Sequence, residues 1–66
     1  MASLNKHEVE HLVHHWIEHN EGHTKSFRER AGQIEELNAD AALKVREAAD
    51  LMELCTKKLV EAKELL

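Results

Sequence analysis

His7, His11, His15, His19 and His23 recur at intervals of four residues, and His14 stands beside them, so every histidine of the chain lies between His7 and His23. Residues four apart are neighbours on one face of an α-helix. Each consecutive pair of such histidines can therefore aim two imidazole nitrogens at one ion, which points to binding of a divalent transition metal. A helix turns about 100° per residue, so this ladder drifts about 40° per step and its rungs are not equivalent. Set against the apolar positions around them, His7, His11 and His14 fall on the solvent face and His15 on the flank. His19 falls at the edge of the apolar stripe, and His23 on a seam position in line with Trp16 and Val9. The candidate metal ligands are thus His15, His19 and His23, with Trp16 placed to wall the site from water without ligating. An ion held by one such pair keeps open coordination positions, which a second copy of the helix can fill.

Two other features bear on the chemistry. His7-Glu8-Val9-Glu10-His11 matches the His-Glu-x-x-His signature of zinc proteases, but a short helical chain offers no substrate cleft and these histidines point away from the seam. No enzyme activity is expected. Cys55 is the one cysteine. Folding the chain about residues 38–39 sets position 23 opposite about 54–55, which brings Cys55 near His23. A thiolate there would suit zinc or copper(I) or add a ligand for nickel, but a small apolar residue at a regular seam position is the favoured account of it.

The elements that must position these groups are helices. The chain has no proline and only Gly22 and Gly32, and its one credible break is Glu36-Leu37-Asn38-Ala39-Asp40. The spacing predicts a first helix over residues 5–37, opened by an Asn5/Glu8 capping box, a turn at 38–39 with Asn38 left-handed, and a second helix over 40–65 capped by Asp40. Gly32 falls inside the first helix, where it costs about 1 kcal/mol relative to alanine; a rival reading ends the helix there. Ala41, Val45, Ala48, Met52, Cys55, Leu59, Ala62 and Leu66 alternate steps of four and three, a heptad seam. Val9, Val13, Trp16, Asn20, His23, Phe27, Arg30, Ile34 and Leu37 repeat it in the first half. The fold class expected is all-α: residues 1–66 form a single antiparallel helical hairpin. Apolar residues beyond the seams, Leu12, Ile17, Leu43, Leu51, Leu54 and Leu65, call for a further surface, so two hairpins should pair as a coiled-coil, four-helix homodimer.

Composition narrows the function. Thirteen acidic against nine basic residues give a formal charge of -4, which gives no reason to expect nucleic acid as a partner, since its binding needs a concentrated basic face. No apolar run of about 18 residues exists to span a membrane, and the first residues carry no signal-peptide core, so a cytoplasmic location is expected. A chain this short builds little core alone and one cysteine closes no internal disulfide, which leaves a partner subunit, a metal, or both.

His15-Trp16-Ile17-Glu18-His19-Asn20-Glu21-Gly22-His23 fits His-Trp-x-x-His-x-x-x-His. This motif resembles the signature of the CooJ nickel chaperones, which help insert nickel into carbon monoxide dehydrogenase. The resemblance implies a homodimer with a Ni²⁺ site near its interface, His15, Trp16, His19 and His23 as motif residues, and carbon monoxide dehydrogenase as the client apoenzyme. Members of that family also tend to carry a histidine-rich C-terminal tail; here no histidine follows His23. Residue chemistry alone leaves Zn²⁺ and Cu²⁺ open beside nickel. The alternative function is a structural or adaptor coiled-coil dimer whose histidines set register or respond to pH.

Overall fold

The computed structural model describes residues 3–66. Two helices, α1 (Lys6–Glu35) and α2 (Ala39–Glu64), run antiparallel as a hairpin about 50 Å long and 18 Å across. Asn5 opens α1 as anticipated: its side-chain oxygen accepts from the Glu8 amide at 2.8 Å, and its Nδ2 donates to the Glu8 carboxylate at 2.8 Å. The Glu8 amide, which the first turn leaves without a helical partner, is thereby satisfied, and the second bond ties the two side chains to each other.

The turn differs from expectation by its capping residue. Asn38 is extended, not left-handed, and its Oδ1 accepts from the Ala41 amide at 2.9 Å, so Asn38 caps α2 and Asp40 sits inside the first turn. There the Asp40 carboxylate complements the helix dipole. Because Asn38 takes the capping role, α1 closes at Glu35, and the Leu37 and Asn38 amides return to the Ile34 carbonyl at 2.9 Å. Gly32 lies within α1, which excludes the earlier ending.

The seam between the helices is rotated from the expected one at half of its positions. Val13, Asn20, Phe27 and Ile34 face α2 as predicted, and Val45, Met52 and Leu59 face α1, each buried or half-buried. The alternate positions are filled by Ile17, Thr24 and Ala31 on α1 and by Ala42, Ala49 and Thr56 on α2. They are not filled by Trp16, His23 and Arg30, nor by Ala41, Ala48 and Cys55, all of which are exposed. The cause is steric and electrostatic. On α1, one candidate column offers Ile, Thr and Ala, the other Trp, His and Arg, and only the first lets two backbones approach without burying a charge. Ala31, Ala42 and Ala49 have no solvent-exposed surface at all.

This rotation makes the two flanks of the hairpin unlike. On one flank Arg28 reaches Asp50 at 3.0 Å and Glu53 at 2.5 Å, and Arg46 grips Glu35 at 3.0 and 3.3 Å. These pairs raise the affinity of both guanidiniums for their protons and hold the Glu35 carboxyl below its ordinary range, in each case chiefly through the hydrogen bonds. The other flank carries Val9, Trp16 and His23 from α1 beside Ala48, Cys55 and Ala62 from α2, one heptad apart along each helix. Trp16 is 45% exposed there, and Leu51, next round α2, is 66% exposed. Among the described residues no helix is long and apolar enough to cross a membrane.

Candidate metal centre

α1 is continuous from Lys6 to Glu35, so the whole histidine ladder stands on one rigid element. His19 and His23 converge. Their Nε2 atoms lie 2.9 Å apart, with the rings edge to face at a centroid separation of 4.4 Å. In the free protein this is a hydrogen bond in which one ring donates and the other accepts. With both Nε2 atoms unprotonated, the two nitrogens are close enough to share one ion. At metal–nitrogen bonds of about 2.0–2.1 Å, nitrogens 2.9 Å apart subtend about 90° at the ion, the cis angle of octahedral and square-planar coordination. A tetrahedral ion at the same bond length needs nitrogens about 3.3 Å apart.

His15 stacks on His19 with ring centroids 6.3 Å apart and does not share the convergent point. His23 in turn lies 5.9 Å from Phe27, which supports its far side. All three histidines are exposed. His23 therefore departs from its expected seam position: Thr24 takes that place, and the imidazole stands on the apolar flank. Among the described residues no three His, Cys, Asp or Glu side chains gather into a complete cage. The pair by itself leaves an ion with most of its coordination positions open.

Cys55 lies on the same flank but against Asn20, whose Nδ2 donates to the sulfur at 3.6 Å. It is exposed. Trp16, one helical turn before His19 and Asn20, stands at the edge of the site, outside the hairpin core.

His14 is exposed, as expected of the solvent face, but it also makes a contact between the helices. Lys63 Nζ donates to its Nδ1 at 2.9 Å, and its Nε2 faces the Glu18 carboxylate at 2.5 Å. With Lys63 on Nδ1, the proton sits on Nε2 and is given to Glu18, so neither ring nitrogen is free for a metal. Sequence reasoning missed this contact between helices, although the fold-back that pairs position 23 with about 54–55 also sets 14 beside about 63. His7, His11 and His15 are exposed and line a shared groove with Leu4, Glu8 and Leu12.

The family model of a domain of unknown function, DUF8180, matches residues 9–66, a span that holds the converging pair and Cys55. The chain belongs to the DUF8180 family. It is 42% identical over 40 residues to a protein of Archaeoglobus fulgidus described as an uncharacterized protein, a match covering 61% of this chain and 64% of that one. The match thus spans just under two thirds of the relative's length. No solved structure matches the chain.

Proposed function

We propose that the chain is a nickel metallochaperone that works as a homodimer in the cytoplasm, carries Ni²⁺ on His19 and His23 with His15 next in line, and releases it to carbon monoxide dehydrogenase. The observation that carries the metal reading is the 2.9 Å separation of the two Nε2 atoms. It puts two imidazole nitrogens within reach of one divalent ion and does not by itself choose among nickel, copper and zinc. Nickel over zinc and copper, and the client enzyme, rest on the resemblance of His15 to His23 to the CooJ motif.

The homodimer is supported by the unlike flanks. One is closed by ion pairs, while the histidine-bearing flank presents Trp16 and Leu51 to solvent. The chain exposes 5299 Å², against about 4300 Å² for a compact chain of its mass. The surplus is on the scale of the roughly 800 Å² per partner that a stable interface buries. A second copy on that flank brings a second His19–His23 pair, which supplies the ligands one chain lacks.

Such a site exchanges its cargo. Few ligands and an open approach favour release, and neutral imidazoles bind metal only when unprotonated, so affinity falls as the solution is acidified. Calorimetric titration of Ni²⁺ into the chain and into a His19→Ala, His23→Ala double variant tests the proposal. Micromolar or tighter binding that vanishes in the variant supports it, binding that survives the variant refutes the site, and no binding by either protein favours an adaptor dimer.

A further inference from the structure

α2 turns Ala42 and Ala49 to α1 and carries a second heptad seam on its opposite side. Positions 44, 47, 51, 54, 58, 61 and 65 alternate steps of three and four along that side. Lys44 pairs with Glu47 at 3.5 Å and Lys58 with Glu61 at 3.3 Å, all four in solvent. Between the two ion pairs stand Leu51 and Leu54, 66% and 60% exposed. Both ion pairs run lysine before glutamate, the weaker order for support within one helix. A leucine pair framed by charges is instead the layout of a contact centre with its polar rim.

This face matches itself in one register. Set antiparallel to a second copy, about a two-fold axis between residues 52 and 53, Leu51 meets Leu54 of the second copy, Lys44 meets its Glu61 and Glu47 meets its Lys58. Every lysine of the seam then faces a glutamate, and leucine covers leucine. A slip of one heptad either way sets the leucines against charges, and parallel in-register pairing sets lysine on lysine and glutamate on glutamate. At each end Leu65 lies over Asp40 of the second copy, both exposed to water. The columns beside the seam agree with the same register. Toward the histidine-bearing flank Ala41 meets Ala62 and Ala48 meets Cys55, so nothing bulky holds the helices apart, and on the other side Asp50 meets Lys57.

We infer that the outer face of α2 is a self-complementary interface on which a second copy of this chain docks antiparallel, α2 on α2, with Leu51 and Leu54 at the centre. The inference rests on the homodimer reading above and fixes its surface and register. It also places the metal pairs. The two-fold axis emerges on the side of Cys55, so the histidine-bearing flanks of both copies turn to one face of the dimer. Asn20 stands against Cys55, which sets His23, three residues on, opposite about residue 52 and level with the axis.

Sedimentation equilibrium of the metal-free full chain and three charge variants tests this, with far-UV circular dichroism showing that each variant is folded. Lys44→Glu turns two exposed contacts from attraction to repulsion and should raise the dimer dissociation constant about tenfold. Adding Glu61→Lys to it should restore the constant to within about threefold of the parent. Positions 44 and 61 are about 25 Å apart along one helix, so only a second, antiparallel copy can bring them together. Adding Glu47→Lys to Lys44→Glu instead keeps the ion pair within the helix but sets like charges on both contacts, so it should not restore the dimer. The two double variants share one composition and one net charge. A parent dimer that Glu61→Lys fails to rescue, or that Glu47→Lys rescues equally, overturns the register and leaves a homodimer built on another surface. A parent chain that is monomeric throughout is a different failure, because it removes the homodimer reading as well.

Discussion

Replacing Ala49 by leucine tests the register on which the placement of every histidine depends. Ala49 is fully buried, and the ion pairs of Arg28 with Asp50 and Glu53 fix it opposite the Phe27 to Ala31 stretch of α1, where Ala31 is itself without exposed surface. Three added carbon atoms have no space there, and overpacking a close-fitting helix contact costs about 1–3 kcal/mol. A chain of 66 residues has a total stability of about 3–10 kcal/mol, so the loss is a large fraction of the whole. At about 4–8 °C per kcal/mol for a domain of this size, the melting temperature should fall on the order of 10 °C. Thermal unfolding followed by far-UV circular dichroism, at one fixed protein concentration because association shifts the midpoint, measures it. A seam through Ala41, Ala48 and Cys55 would leave Ala49 on the surface, where the change stays within about 0.5 kcal/mol. An unchanged or raised midpoint therefore refutes the observed register, and with it the placement of Trp16 and His23 on the open flank.

Three further outcomes follow from the same geometry. Gly32 is exposed inside α1 with open space where a Cβ would stand, so Gly32→Ala should stabilise the chain by about 0.5–1 kcal/mol in denaturant unfolding. Leu51→Glu places a charge on the apolar flank that is proposed to meet a second copy; light scattering should report a monomer of unchanged helicity where the parent chain is a dimer. Arg46 holds the Glu35 carboxyl below its ordinary range, so that contribution is complete above the range and is lost as the pH falls through the lowered value. Stability should therefore drop on acidification below about pH 4, and Glu35→Gln should flatten that part of the profile.

The hairpin itself was legible in the sequence because its signals are local. Absent proline, the Asn5/Glu8 cap and a break near Asn38 define two helices whatever their packing. The face that each helix buries was only half legible. In α2 the columns Ala41, Ala48, Cys55 and Ala42, Ala49, Thr56 are both small and differ by one residue, so periodicity cannot choose between them; the choice is made by α1, where Trp16, His23 and Arg30 fit a close contact worse than Ile17, Thr24 and Ala31. The candidate site was legible as a motif, but spacing alone does not distinguish the converging pair His19 and His23 from His15 and His19, which share it and do not converge. The stacking of His15 depends on rotamers, which no spacing rule encodes, whereas the contact of His14 with Lys63 follows from the fold-back pairing of 14 with about 63 once the neighbouring helix is considered.

The central claim is that His19 and His23 together hold nickel in a cis arrangement, and the X-ray absorption spectrum of the nickel-loaded chain tests it most directly. The account predicts imidazole scattering with nickel–nitrogen distances of about 2.1 Å in a six-coordinate or square-planar shell, and loss of that scattering in the His19→Ala, His23→Ala variant. A tetrahedral shell, or imidazole scattering that persists in the variant, would contradict it.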